Sequence, residues 1–189
     1  MKNVMKSFFI GMLLFGLCLL GTAYAKDIPP ESKKAVKEMN NLLVKYFKDN
    51  CKGKDYTSTC PILKQLTPNG EFNTVIAKDY VKNYHFWVFN NDWIWVGHGL
   101  FKKLIGQNHK DFQGADGKYF AQGFRKFVDK HNQGYYPYVE MKAGGGYHSV
   151  AYLHRLVFKD GSELIFATGY NIPDAFWDQK VKKEMSTDN

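Results

Sequence analysis

Cysteine is scarce: the 189-residue chain has three, at positions 18, 51 and 60. That is too few for a miniprotein stapled by several disulfides. No C-x-x-C-H run occurs, which excludes haem attached through that motif. After Leu20 no apolar run approaches the roughly 20 residues that cross a bilayer as a helix. No G-x-S-x-G nucleophile elbow occurs, and no pair of acids is marked as a dyad. Gly144-Gly145-Gly146 lacks the Lys-Ser/Thr ending of a phosphate loop and reads as a turn. The histidines at 85, 98, 109, 131, 148 and 154 include no helical i,i+4 pair. No local metal site is therefore expected, and no cofactor. Acids are also short, 18 against 26 Lys and Arg, giving a net charge of +8. The basic residues are dispersed without a basic–aromatic motif, so nucleic acid is not an expected partner. The excess positive charge reads instead as solubility or attraction to an anionic surface or ligand. There is no internal repeat and no low-complexity tract.

What is present begins with a leader. Lys2 and Lys6 precede an apolar run from Phe8 to Leu20, and Ala23-Tyr24-Ala25 is a small-x-small cleavage site. Residues 1–25 read as a signal peptide cleaved after Ala25, with an uncleaved anchor as the alternative. Leu17 stands where lipid attachment at Cys18 would want a smaller residue. Cleavage leaves 24 basic and 18 acidic side chains, net +6. The expected location is periplasmic or secreted. In such an oxidising compartment Cys51 and Cys60 are expected to pair, with two free thiols as the alternative. The short loop between them limits the stabilisation to about 2–3 kcal/mol.

Aromatics make up 16% of the chain and apolar residues 44%, ample for one core. Pro29-Pro30-Glu31-Ser32 opens a helix over 31–50, because Val36, Met39, Leu42, Leu43, Tyr46 and Phe47 recur at three- and four-residue steps. A short helix around Ile62–Leu66 and a turn or two of helix over Thr74–Lys82 follow. Tyr84–Val96 is dense in aromatic and β-branched residues, broken by Asn90-Asn91-Asp92, the pattern of a hairpin. Lys118–His131 carries Phe120, Phe124, Phe127 and Val128 at helical spacing, stopped by Gly134. Tyr135–Lys142, Tyr147–Lys159 and Glu163–Tyr170 read as three further strands, the last two joined at Asp160-Gly161. Residues 172–189 form a polar tail with a short helix around Phe176. The order of helix, hairpin, helix and three strands predicts an α+β domain on a five-stranded antiparallel sheet. One domain over 26–171, with a sheet core over 84–171, accounts for the length.

Several motifs over Phe86–Tyr170 fall in the order of a known family. They are Trp87-Val88-Phe89-Asn90-Asn91-Asp92, Gly97-His98-Gly99, Leu104-Ile105-Gly106-Gln107-Asn108, Asp116-Gly117-Lys118-Tyr119-Phe120, Gly134-Tyr135-Tyr136-Pro137-Tyr138, Ala151-Tyr152-Leu153 and Ala167-Thr168-Gly169-Tyr170. About half the chain thereby resembles the single-Cache, PAS-like extracytoplasmic sensor domains. The resemblance implies a long first helix packed along the sheet and a small-ligand pocket on it, often for carboxylates or amino acids. It departs from the family at Ser149, where a Lys is common, so a carboxylate-pairing cation is missing there. The family's receptors continue into a membrane helix, whereas here the expected form is a free-standing protein.

The candidate ligand-binding residues are His98, Trp87, Tyr136, Tyr138, Ser149, Tyr152 and Arg125. Trp95 and His154 also suit a pocket that mixes apolar wall with a few oriented polar groups. For each aromatic the competing role is plain core packing. The expected function is a non-enzymatic sensor that binds a small polar metabolite and hands its ligand state to a membrane receptor. Pairing through the first helix into a homodimer is a further expectation. The alternatives are a ligand-less interaction module with the same fold and, more remotely, a secreted metal-binding protein or enzyme.

Overall fold

The computed structural model describes residues 30–53, 56–142 and 145–172. The expected signal peptide, the turn at Gly144 and the expected helix around Phe176 lie outside the described residues. Helix α1 spans Pro30–Asn50. Its apolar stripe, Val36, Met39, Leu43, Val44 and Phe47, is buried against the sheet. Asn40 interrupts that stripe, and its amide nitrogen donates to the carbonyls of Tyr152 at 3.1 Å and Phe166 at 3.0 Å. The Thr168 hydroxyl donates back to the Val36 carbonyl at 2.8 Å. These bonds give α1 a fixed register on the sheet, which an apolar stripe alone does not specify.

Cys51 and Cys60 form a disulfide with Cα atoms 6.0 Å apart. It closes the segment that follows α1, and both residues are buried. Then come a short 3₁₀ turn, Pro61–Gln65, and one π-helical turn, Phe72–Ile76. The first matches the expected short helix; the second starts two residues ahead of the expected one.

The sheet has five strands: β1 His85–Asn90, β2 Trp95–His98, β3 Gln133–Lys142, β4 Gly145–Val157 and β5 Glu163–Ile172. Their spatial order is β2-β1-β5-β4-β3, all pairs antiparallel. Helix α2, Phe120–His131, sits between β2 and β3 in sequence. The expected α+β, PAS-like architecture is therefore observed.

Strand alternation divides the side chains between two layers. Phe86, Val88, Phe166, Thr168 and Tyr170 face α1, in clusters with Met39, Phe47 and Val36. Trp87, Phe89, Tyr138, Ala151, Leu153, Ile165 and Ala167 form the opposite cluster, under α2. One irregularity shapes the α2 side. Trp87 pairs with His98 and Val88 with Gly97, but Phe89 pairs with Trp95, so the register slips by one residue at Val96. This bulge places both Trp95 and His98 on the α2 side, although they are three residues apart.

Candidate functional site

On the α2 side of the sheet, where β2 and β1 meet the loop over residues 99–119, lies a cavity of about 630 Å³. Its floor is sheet: His85 and Trp87 from β1, Trp95 and His98 from β2, Tyr138 and Glu140 from β3, and Asn171 from β5. The loop supplies Leu100, Phe101, Leu104, Asp111, Phe112 and Gln113, and the start of α2 supplies Phe120. The volume falls within the range of small-molecule sites.

The aromatic wall comes in two groups. The Trp87 and Tyr138 rings meet at 6.3 Å, Tyr138 and Phe120 at 5.5 Å, and Trp95 and Phe112 at 5.1 Å. Trp95 is backed by His109, stacked at 4.5 Å with an interplanar angle of 6°. The Trp95 indole N–H is buried with no hydrogen-bond partner among the described residues.

The polar end is held by its own bonds. His98 Nδ1 accepts the backbone N–H groups of Leu100 at 3.1 Å and Phe101 at 3.2 Å. That assigns the proton of the neutral ring to Nε2. The same bonds turn the chain from β2 into the covering loop. Burial first, then charge from His85, pushes the His98 pKa down to about 4, with Glu140 pulling the other way and His109 adding to the lowering. The ring is therefore neutral at pH 7. Glu140 accepts the Tyr138 hydroxyl, and His85 Nε2 lies 3.8 Å from its Oε1. Burial pushes the Glu140 carboxyl up, but His85, the Tyr138 hydroxyl and His98 outweigh it and hold the pKa below its ordinary value. Glu140 is thus ionised at neutral pH.

The seven residues expected from the sequence are distributed unevenly. Trp87, His98 and Tyr138 line the cavity. Ser149 is one step behind it: fully buried, its hydroxyl donates to Asn171 Oδ1 at 2.8 Å and so orients a lining side chain. Tyr136 points under α2, against Phe124 and Phe127, and does not line the cavity. Arg125 lies on α2 and pairs with Glu163 at 2.8 Å and with Asp129, an anchor between helix and hairpin. Tyr152 lies on the other face of the sheet, its ring 4.8 Å from Tyr135 in the cluster that includes Val36. Of the two further candidates, Trp95 lines the cavity and His154 does not.

Glu140, His85 and Asn171 line the cavity without having been expected there from the sequence. A signal for Glu140 was present. It continues the two-residue alternation Tyr136, Tyr138, Glu140 along β3, an acid on a strand face otherwise aromatic. His85 precedes Trp87 by the same step. Nothing local marks Asn171, which reaches the cavity only through the pairing of β5 with β4. Among the described residues no cluster of three or more His, Cys, Asp or Glu is placed to hold a metal ion.

By sequence, no known family and no curated protein matches the chain. Solved structures do match. One is described as a periplasmic sensor domain of a chemotaxis protein. It shares 16% identity and a TM-score of 0.51, over 76% of this chain and 94% of that one. Another is described as the structural basis for carboxylic acid recognition by a Cache chemosensory domain. It shares 18% identity and a TM-score of 0.50, over 76% of this chain and 92% of that one. At such identities the likeness establishes the fold: this chain has the Cache, PAS-like fold of extracytoplasmic sensor domains.

Proposed function

We propose that the protein is a periplasmic, non-enzymatic binding protein of the sensor type, holding a small polar molecule in the cavity on the α2 side of its sheet. The observation that carries this reading is the combination of an aromatic wall with a polar end whose groups are already oriented. His98 is fixed by two backbone N–H groups, Glu140 by Tyr138, and Asn171 by Ser149. Groups oriented before a ligand arrives reduce the entropic cost of binding. The ligand-less module would be favoured by a closed sheet face filled with the chain's own rings. The open cavity among Trp87, Trp95, Phe112 and Phe120 counts against it.

Export rests on the signal-peptide pattern of residues 1–25. The proposal includes a free-standing protein whose loaded state is read by a membrane receptor. Among the described residues no helix is long and apolar enough to cross a membrane. The test is native mass spectrometry of the purified protein, followed by thermal-shift measurements against a metabolite library. The expected outcome is a co-purified small molecule, or a ligand that raises the melting temperature. At one hundred times its Kd such a ligand stabilises by about 2.7 kcal/mol. An empty protein whose melting temperature no compound moves overturns the binding reading and returns the interaction module to first place.

A further inference from the structure

The cavity combines six aromatic side chains with two carboxylates. Among the described residues, no Lys or Arg lines it. We infer that it takes a small organic cation, an amine or quaternary ammonium on a short carbon skeleton. The inference rests on the preceding reading of the cavity as a binding site and names its ligand class.

The deciding quantities are charge and desolvation. A cation entering the cavity loses water and must be compensated. Aromatic faces supply this without a counter-charge, and a ring within about 6 Å contributes more as the site becomes drier. Trp87, Trp95, Phe101, Phe112, Phe120 and Tyr138 surround the space. Their planes are mutually inclined, by 64° between Trp87 and Tyr138 and by 78° between Trp95 and Phe112. Faces and edges therefore meet the space from several directions, as a box rather than a slot. Glu140, fixed by the Tyr138 hydroxyl, and Asp111 on the covering loop supply negative charge.

A carboxylate ligand would meet the opposite conditions. Glu140 would repel it, and His98, with its Nδ1 committed to two backbone N–H groups, presents a neutral ring at pH 7. The remaining imidazole, His85, stacks on Trp87 at 5.1 Å and faces Glu140, which compensates it when it is protonated, so it offers an anion no unpaired cation, and Asp111 still gives the lining an excess of carboxylate. Ser149 carries no charge and bonds Asn171. The chain's overall positive charge does not reverse this. Lys102 and Lys103, near the mouth, are exposed to solvent. Neither lines the cavity, and an exposed ammonium acts through the high dielectric of water.

The test is calorimetric titration of the purified protein with three probes of similar size. Choline carries the charge. 3,3-Dimethylbutan-1-ol replaces the quaternary nitrogen by carbon. Butyrate carries the opposite charge. Choline is expected to bind at least tenfold more tightly than either of the others. Phe112→Leu changes a partly exposed loop residue with no role in the core, so the variant folds. It is expected to weaken choline by roughly 3- to 30-fold, the span of one cation–π contact, while moving the alcohol less than threefold. Glu140→Gln should weaken choline selectively as well. If the alcohol or butyrate binds as tightly as choline, the cation inference fails and the binding site stands. If none of the three binds, the cation inference fails also, and the binding site falls with it only when the metabolite library is silent too.

Discussion

Gly169 shows how one atom shapes the cavity floor. It faces the α2 side of β5, opposite His85, and the Trp87 indole lies directly over it. A Cβ at this position would stand 2.9 Å from Trp87 Cη2 and 3.0 Å from the Val150 carbonyl oxygen. The indole therefore lies flat against the sheet only because residue 169 has no side chain, the close approach that a glycine inside a strand often marks. Gly169→Ala is expected to lift Trp87 into the cavity. Overpacking should cost about 1–3 kcal/mol and weaken whatever ligand the cavity holds by tenfold or more. Melting curves of the variant, and of the same variant with Trp87→Phe, check the cause. The smaller ring should recover the part of the loss that comes from the indole, the backbone contact with Val150 keeping the rest; a melting temperature unmoved by Gly169→Ala would show that the indole has room to spare.

At the level of elements, the disulfide and the cavity lie on opposite faces of the sheet and should be separable. Cys51 and Cys60 belong to the cluster under α1 with Phe47, Leu63 and Phe166. Replacing both by Ala removes a crosslink across a sequence separation of nine residues. The expected loss is about 2–3 kcal/mol, or roughly 5–10 °C in melting temperature for a domain of this size. Ligand affinity should stay within twofold. A variant that melts normally but loses its ligand would show that the two faces are coupled. The strands illustrate what local pattern can and cannot reveal. The Asn90 turn is legible in the residues: Asn90 Oδ1 accepts the N–H groups of Asp92 and Ile94, each at 3.0 Å. The bulge at Val96 is not legible. Strict alternation would put Trp95 and His98 on opposite faces, and only the slipped pairing of β2 with β1 unites them.

Across the protein as a whole, two buried histidines tie stability to pH. Burial first, and for His98 the charge on His85, pushes His98 and His109 each to about 4. Unfolded, a histidine titrates near 6.5. Above that value both states are neutral and pH has no effect through these groups. Between about 6.5 and 4 the unfolded chain takes up protons that the folded chain refuses, so stability falls as pH falls. From pH 7 to pH 4.5 the loss should be on the order of 2–3 kcal/mol per histidine. Glu140, with its pKa held down in the fold, adds a loss at still lower pH. His154, part-buried, is also pushed down, by burial first and then by Lys48, and adds in the same direction. Denaturant midpoints at pH 7 and pH 4.5 measure this. His109→Phe retains a ring against Trp95 and should remove a third to a half of the slope, whereas an unchanged midpoint across that range would contradict the burial account.

The architecture is legible in the residues because its signals are local. The three- and four-residue spacing over 31–50 required a helix with one buried face. Aromatic and β-branched runs separated by Asn-Asn-Asp and Asp-Gly turns required hairpins, and the order of elements left an antiparallel sheet as the consistent arrangement. The same residues pointed to Trp87, Tyr138 and His98, which stand on the cavity wall, and to the Cys51–Cys60 pair. Which face each aromatic joins was settled by the packing of strands and helices. Tyr135 and Tyr136 are adjacent and lie on opposite sides of the sheet; Tyr152 packs beneath α1 and Arg125 is spent on Glu163. The cavity's charge was settled there too. Glu140, His85, Asn171 and Asp111 come from three strands and a loop, separated by up to 86 residues of chain from His85 to Asn171. A periodicity read along one strand carries no information about the strand beside it; strand order and one bulge supply it.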